Sequence, residues 1–138
     1  MTKAADTCLK KLRAICLSLP ETRETITWGE PHFRVRDKIF AGFGVKDGVM
    51  TTGCKLTMDH AASMIQIPGF SKAPYVGHKG WVSIDLGVVK DWDLIEELLQ
   101  ESYKLIAPKK LVALLEETES VDGVVPARVQ RRSAARKK

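Results

Sequence analysis

A glycine-rich segment between residues 73 and 86 carries side chains that suit ligand binding. It places an aromatic, an imidazole, an ammonium and an indole group close together: Tyr75, His78, Lys79 and Trp81. Gly77 and Gly80 allow a tight turn, because glycine adopts backbone conformations that other residues avoid. Such a turn could hold a phosphate with its lysine and stack a base on its rings. Alternatively it is a structural turn, with Trp81 at the edge of the core and His78 bonded to the backbone.

A second candidate site consists of basic residues. Arg34, Arg36 and Lys38 lie on one predicted strand and the turn after it, and Lys46 follows the next strand. Phosphate contacts from such side chains would make nucleic-acid binding depend on salt. The alternative is a solvated outer face, which the sheet of a soluble protein needs in any case.

The sequence Trp28-Gly-Glu-Pro-His32 supplies a third candidate. The residues that could together line a small-molecule pocket are Trp28, His32, Tyr75, His78 and Trp81. Glu30 and His32 could in principle form a general acid–base pair. However, no nucleophile with a partnered base and no GxSxG or phosphate-loop signature occurs. We therefore assign no catalytic residues and expect a protein that is not an enzyme.

The histidines and cysteines show no metal-binding pattern. His32, His60 and His78 are far apart in sequence, and the cysteines, at positions 8, 16 and 54, lack CxxC spacing. An odd number of cysteines also argues against a disulfide framework. Buried free thiols are the better interpretation, because free cysteine behaves as a small hydrophobic residue. We predict no metal and no cofactor.

The net charge of +5 comes from the C-terminal end of the chain. Residues 126–138 carry six arginines and lysines, among them Arg131 and Arg132, and no acid, so the preceding 125 residues sum to −1. A basic tail attracts any polyanion, whereas a basic folded face would indicate a dedicated nucleic-acid surface. The absence of a long apolar run and of a secretory signal predicts a cytoplasmic protein with no membrane partner.

The helices that must position these residues follow from apolar spacing and capping residues. Apolar residues at helical spacing predict a first helix over 3–19, which Pro20 ends. Thr57 is predicted to begin a short helix through residue 67, and Asp91 to begin a long helix. Pro108 suits the first turn of a final short helix.

Alternation of apolar and polar residues predicts strands over 32–36, 39–45, 49–56 and 81–86. Arg34 and Arg36 should point outward on one face, while Ile39, Ala41 and Phe43 share one face. Asp47-Gly48 predicts a hairpin turn, because this pair suits positive φ. The fold class is α+β: an antiparallel sheet, a meander plus one strand, packed against N- and C-terminal helices. One domain over 1–118 and a disordered basic tail over 119–138 complete the prediction.

Six short motifs in this order resemble the MmcQ/YjbR family. They are Leu19-Pro20-Glu21, Trp28-Gly29-Glu30-Pro31-His32-Phe33, Lys38-Ile39-Phe40-Ala41, Pro74-Tyr75-Val76-Gly77-His78-Lys79-Gly80-Trp81-Val82, Ser102-Tyr103 and Ala107-Pro108-Lys109-Lys110-Leu111. The resemblance implies a frataxin-like (CyaY-like) arrangement and a DNA-binding "double-wing" role. The resemblance does not extend to frataxin's iron chemistry, because iron binding there would need acidic side chains on the first helix. In this chain that helix carries a single acid, Asp6, among four basic residues.

Together these features predict a small monomeric DNA-binding module that uses a hairpin, the glycine-rich loop and the tail. Its predicted contacts are Arg34, Arg36, Lys38, Lys46, His78, Lys79, Arg131 and Arg132. A protein with a small-molecule pocket of unknown ligand is the main alternative, and a protein-interaction adaptor is the third.

Overall fold

A computed structural model describes the backbone of residues 2–74 and 79–121, and the side chains up to residue 116. Its helices are α1 (Lys3–Cys16), α2 (Met58–Met64), α3 (Trp92–Ile106) and α4 (Lys109–Val121). Its strands are β1 (Thr22–Thr27), β2 (Glu30–Val35), β3 (Lys38–Lys46), β4 (Val49–Lys55), β5 (Phe70–Lys72) and β6 (Trp81–Asp85). The strands form one antiparallel sheet in the order β1-β2-β3-β4-β6-β5. The predicted α+β class is therefore confirmed.

Capping residues start the helices where the sequence predicts. The Thr57 hydroxyl accepts a hydrogen bond from the His60 amide, and the Asp91 carboxylate accepts one from the Leu94 amide. Two helix ends differ from prediction. Helix α1 ends at Cys16 instead of residue 19, and the hydroxyl of Thr22 donates to the carbonyl of Cys16. Helix α2 ends at Met64 instead of residue 67. Helix α4 runs to Val121, and the remainder of the predicted tail lies outside the described residues.

Two strands that the sequence analysis missed occupy the edges of the sheet. Within the part of the chain that the structure describes, strand β1 pairs with β2 alone, and the three-residue strand β5 pairs with β6 alone. Every residue of β1 is at least partly exposed, so its sequence lacks the buried alternation that reveals a central strand. Strand β5 is too short to show any period.

The sheet has one covered face and one open face. Helices α1 and α3 pack on the covered face, where Phe33, Phe43, Cys54, Val82 and Ile84 are buried. On the open face, one row of paired residues crosses all six strands: Thr25, His32, Gly42, Gly53, Ser83 and Ser71. None of these six is buried. In the described part of the chain, no helix is long and apolar enough to cross a bilayer.

A bulge in β3 changes the predicted face of Ile39. Phe33 pairs with Ala41 but Arg34 pairs with Ile39, so Phe40 is an extra residue. Phe40 and Ala41 are both buried, whereas Ile39 turns to the open face. The prediction that Ile39 shares a face with Ala41 and Phe43 was wrong, because the bulge interrupts the two-residue period.

Ser102 of α3 ties the helix to this bulge. Its buried hydroxyl donates to the Phe40 carbonyl at 2.5 Å and accepts from the Lys55 amide at 2.8 Å. Two backbone groups on neighbouring strands therefore depend on one side chain, which also fixes where α3 crosses the sheet.

Replacing Ser102 by alanine should lower the free energy of unfolding by about 2 kcal/mol, because both backbone groups then lose their partner in a buried site. Chemical denaturation of the two proteins measures this loss. Ser63→Ala, on the exposed surface of α2, is the matched control and should change stability by less than about 0.5 kcal/mol. Equal midpoints for both variants would contradict the structural role of Ser102.

Candidate functional site

The open face of the sheet contains a groove of about 780 Å³. It runs from the β1–β2 and β3–β4 turns at one end of the sheet to the start of β6 at the other. Its lining includes Trp28, His32, Gly42, Gly53, Pro74 and Trp81. We call this feature the open-face groove. It is the concave, mostly apolar kind of surface that suits a small ligand.

Glycines of β3 and β4 lie in the floor of the open-face groove, two of them covered by neighbouring side chains and one open. A Cβ atom at Gly42 would lie 2.8 Å from the His32 ring, and one at Gly44 would lie 2.5 Å from the Glu30 carboxylate. The side chains of His32 and Glu30 therefore lie across the glycines of β3. A Cβ at Gly53 would meet only the Val82 carbonyl, at 3.7 Å, so the space above Gly53 is open. A glycine inside a strand often marks such a close approach.

Trp28 stands at one end of the open-face groove in an unusual conformation. It has φ 54° and is followed by Gly29 with φ 80°, so the pair forms a two-residue turn with two positive φ values. Asparagine is the preferred first residue in that turn, and positive φ is strained for a bulky side chain. The Trp28 side chain is nevertheless 86% exposed, so core packing does not explain it. Strain of this kind is concentrated at functional sites.

Replacing Trp28 by asparagine should raise the free energy of unfolding by roughly 0.5–1 kcal/mol, because asparagine tolerates the left-handed conformation and little packing is lost. Thermal and urea denaturation measure the gain. A loss of stability of similar size would instead show that Trp28 packs against the fold and is a structural residue.

Glu30 and His32 contact each other, but not as the predicted acid–base pair. The His32 Nδ1 atom lies 3.0 Å from the backbone carbonyl of Glu30, which can only accept a hydrogen bond. The neutral ring therefore carries its proton on Nδ1 and leaves Nε2 as an acceptor next to Gly42. The edge of the ring also contacts Trp28, with centroids 5.9 Å apart. His32 is thus oriented by its own strand.

The predicted basic cluster is largely engaged within the protein. The Arg34 guanidinium donates to the hydroxyls of Thr25 and Thr27 and to the Asp37 carbonyl. Arg36 lies in the turn after β2 with φ 54° and pairs with the Glu21 carboxylate at 3.1 Å. The expectation that both arginines point outward on one strand face therefore fails for Arg36, because β2 ends at Val35.

The remaining predicted contacts are scattered. Lys38 is exposed at the start of β3, and Lys46 lines the open-face groove at the other end of that strand. Lys79 is exposed just before β6. Of the predicted pocket, Trp28, His32 and Trp81 all line the groove, with Trp28 and His32 in contact and Trp81 at the other end. Trp81 is half-buried there and is not among the described residues that pack against the core. The other predicted site residues lie outside the described ranges: Tyr75, His78, Arg131 and Arg132.

The titratable groups with shifted pKa values lie on the covered face or its edge. Cys16 and Cys54 are fully buried, and burial raises the pKa of Cys16 and raises that of Cys54 to about 12. The predicted burial of these two thiols is confirmed, whereas Cys8, predicted on the same buried helix face as Cys16, is only partly buried. Burial also raises the pKa of Tyr103, whose hydroxyl donates to the Pro20 carbonyl at 2.7 Å. The Glu24 carboxylate, 2.7 Å away, raises the pKa of Arg13.

These groups stabilise the fold, and none of them is among the described lining residues of the open-face groove. Within residues 2–74 and 79–116, no three histidine, cysteine or acidic side chains lie close enough together to hold a metal ion. The chemistry that the groove offers is therefore stacking on indole and imidazole rings, with hydroxyl, carboxylate and ammonium groups at its sides.

Sequence reasoning missed the groove floor and Ile39. A signal for the floor was present, since β3 and β4 contain Gly42, Gly44 and Gly53 at positions of one face. Glycine is disfavoured within strands, so three glycines on one face indicate a sheet surface where side chains at these positions would be in the way. No signal could have revealed Ile39, because its position depends on the bulge.

Comparison with known proteins places this fold among uncharacterised domain families. A Deinococcus radiodurans protein with a DUF419 domain matches with a TM-score of 0.63 and 21% identity, covering 71% of this chain and 77% of that one. A Pseudomonas syringae protein matches with a TM-score of 0.58 and 17% identity, covering 76% and 98%. A Bacillus subtilis protein of the DUF1801 family matches with a TM-score of 0.51 and 17% identity, covering 73% and 77%. No match was found among curated proteins.

The sequence itself carries a family match that agrees with the six motifs. The YjbR family model matches residues 17–105, from the end of α1 almost to the end of α3. That range contains all six strands and therefore the whole floor of the open-face groove. This chain belongs to the YjbR family.

Proposed function

We propose that this protein binds a small molecule with a planar ring in the open-face groove. The observation that carries the proposal is Trp28, whose indole is 86% exposed on a turn with an unfavourable conformation for tryptophan. A ligand ring stacked on this indole would remove it from water. Such contacts are favourable, since aromatic side chains contribute large contact areas and stacking. The glycine floor and Trp81 support the same function, because a flat ring needs a flat, low surface.

The described arrangement supports binding more than catalysis. His32 Nδ1 is engaged by a backbone carbonyl, and the Glu30 carboxylate does not bond to that ring nitrogen. The proposal therefore assigns no catalytic step. Location in the cytoplasm belongs to the same proposal, and the free thiols of Cys16 and Cys54 support a reducing compartment.

Titration of the labelled full chain with 2-naphthamide, a neutral planar probe, tests the proposal by NMR. The chain has three tryptophans, and Trp92 provides an internal control, because it lies at the start of α3 beneath the Lys11 ammonium, 5.2 Å from its ring centroid. We expect the indole signals of Trp28 and Trp81 to shift and that of Trp92 to stay. Equal shifts of all three, or no shift at all, would contradict a groove-specific function.

Nucleic-acid binding is a second candidate, favoured by the two turns at one end of the sheet. Trp28-Gly29 joins β1 to β2 and Asp47-Gly48 joins β3 to β4, so two neighbouring hairpins project together. Trp28 and Lys46 could there stack a base and contact a phosphate. Little positive charge among the described residues supports this candidate. Arg34 is hydrogen-bonded to Thr25, Arg36 is paired with Glu21, and the excess of cations lies in residues 126–138.

Truncation after Val121 separates the tail from the hairpins. If the hairpins contribute, the truncated chain should still bind a DNA oligonucleotide at low salt, and Lys46→Glu should weaken that binding tenfold or more by placing a negative charge near phosphates. Lys110→Glu, on exposed α4, is the matched charge reversal away from the hairpins. Loss of all binding on truncation, or equal effects of the two reversals, would leave no role for the hairpins.

A further inference from the structure

The Glu30 carboxylate is an unpaired negative charge within the open-face groove. It lies over Gly44, where a Cβ atom would be 2.5 Å from its Oε2 atom. Among the described residues it forms neither an ion pair nor a hydrogen bond through its carboxylate, although Glu30 begins a strand rich in polar contacts. Glu30 is exposed, so its carboxylate is accessible to a donor group of a ligand that enters the groove.

The other groups of the groove leave that charge without compensation. Asp47 adds a second carboxylate at the rim, and Lys46 is the single cation among the described lining residues. No ion pair joins Lys46 to either carboxylate within the part of the chain that is described. His32 presents Nε2 as a further acceptor beside Gly42. The described lining of the groove therefore offers acceptors next to its rings and carries more carboxylates than cations.

Resting on the proposed ring-binding function, we propose that the ligand is a planar ring that carries a cationic N–H donor group of the amidine, guanidine or protonated amino-heterocycle class. The ring stacks over the glycine floor, and the donor group binds the Glu30 carboxylate. A planar amidinium fits a carboxylate with two parallel hydrogen bonds, which are stronger than neutral ones. The Trp28 indole is placed to add cation–π attraction at the same end of the groove.

Three probes with one ring and different charge test the proposal: naphthalene-2-carboxamidine, 2-naphthamide and 2-naphthoate. NMR titration of the full chain, followed at the Trp28 and Trp81 indoles, should give an affinity order of amidine, amide, carboxylate. We expect the amidine to bind about tenfold more tightly than the amide, as one charge-assisted pair predicts. Glu30→Gln should remove that preference, so that the amidine and the amide bind with similar affinities.

Asp59→Asn is the matched control, since it removes an exposed carboxylate of α2, and Asp59 is not among the described lining residues of the groove. It should reduce the amidine preference less than twofold. Equal affinities for the three probes, or a preference that survives Glu30→Gln, would overturn the charge inference while the ring-binding function stands. If none of the probes shifts Trp28 or Trp81, the ring-binding function fails as well. Circular dichroism confirms that each variant is folded.

Discussion

Gly80→Ala is expected to lower the free energy of unfolding by about 4 kcal/mol. Gly80 has φ 94°, and a Cβ atom there would lie 2.3 Å from the backbone carbonyl of Leu56. Backbone cannot move aside as a side-chain end can, so both the left-handed conformation and the contact must be relieved by shifting β6 or β4. Urea denaturation of the two proteins, fitted with one common m-value, measures the loss.

Gly29→Ala is the matched control for the conformational part of this effect. Gly29 has φ 80°, but a Cβ atom there would meet nothing within 4 Å. It should cost about 1–2 kcal/mol, the penalty of a left-handed alanine alone. Equal losses in the two variants would show that the close approach of Gly80 to Leu56 does not constrain the fold.

The close approach of Gly80 to Leu56 also places Trp81 in the open-face groove. The Leu56 amide donates to the Gly80 carbonyl at 2.9 Å, and the Ala73 amide donates to the Trp81 carbonyl at 3.1 Å. The first bond ties the Gly80 end of the segment between β5 and β6 to the residue after β4, and the second ties the Ala73 end to the start of β6. Gly80 is therefore required for the position of one wall of the groove as well as for stability.

Gly53→Val should abolish most ring binding and leave the fold intact. The open space above Gly53 accommodates a side chain, and valine favours strands, so stability should change by less than about 1 kcal/mol or increase. The added methyl groups would occupy the groove floor, where a flat ring must lie. We expect affinity for 2-naphthamide to fall tenfold or more, since one excluded ring contact is worth about 1.4 kcal/mol or more.

Ser71→Val supplies the matched control for this substitution. Ser71 lies in the same row across the sheet, on edge strand β5, and is not among the described lining residues of the groove. The same side chain is thus added to the same face outside the site, and affinity should stay within twofold of the parent. Unchanged binding in Gly53→Val, with the melting curve preserved, would contradict a ligand position over the glycine floor.

The sequence predicts the central strands and the helices of this fold, because their apolar residues alternate in the strands and recur at helical spacing in the helices. Thr57 and Asp91 act as helix caps, and Asp47-Gly48 forms a turn with positive φ at both residues. The edge strands escape prediction, because an exposed or very short strand has no buried period. The Trp28-Gly29 turn also escapes it, since tryptophan is a poor residue for that conformation, and the same mismatch makes it informative about function.

The candidate site could be predicted only as a set of side chains, not as a surface. Trp28, His32 and Trp81 are recognisable as binding residues, but their grouping depends on strand order and on register. The engagement of Arg34 by Thr25 and Thr27 depends on a strand that the sequence does not reveal. For that reason the sequence favours a basic face, whereas the folded sheet presents a groove with aromatic walls and a glycine floor.

Intermolecular nuclear Overhauser effects between 2-naphthamide and the full chain test ring binding in the open-face groove most directly. The proposed binding mode predicts contacts from the probe's ring protons to the Gly53 Hα atoms and to the indole protons of at least one of the two groove tryptophans, Trp28 and Trp81. It predicts none to Trp92, which packs near Lys11 away from the groove. Contacts to Trp92 or to the covered face, with none to Gly53, would contradict the proposed site.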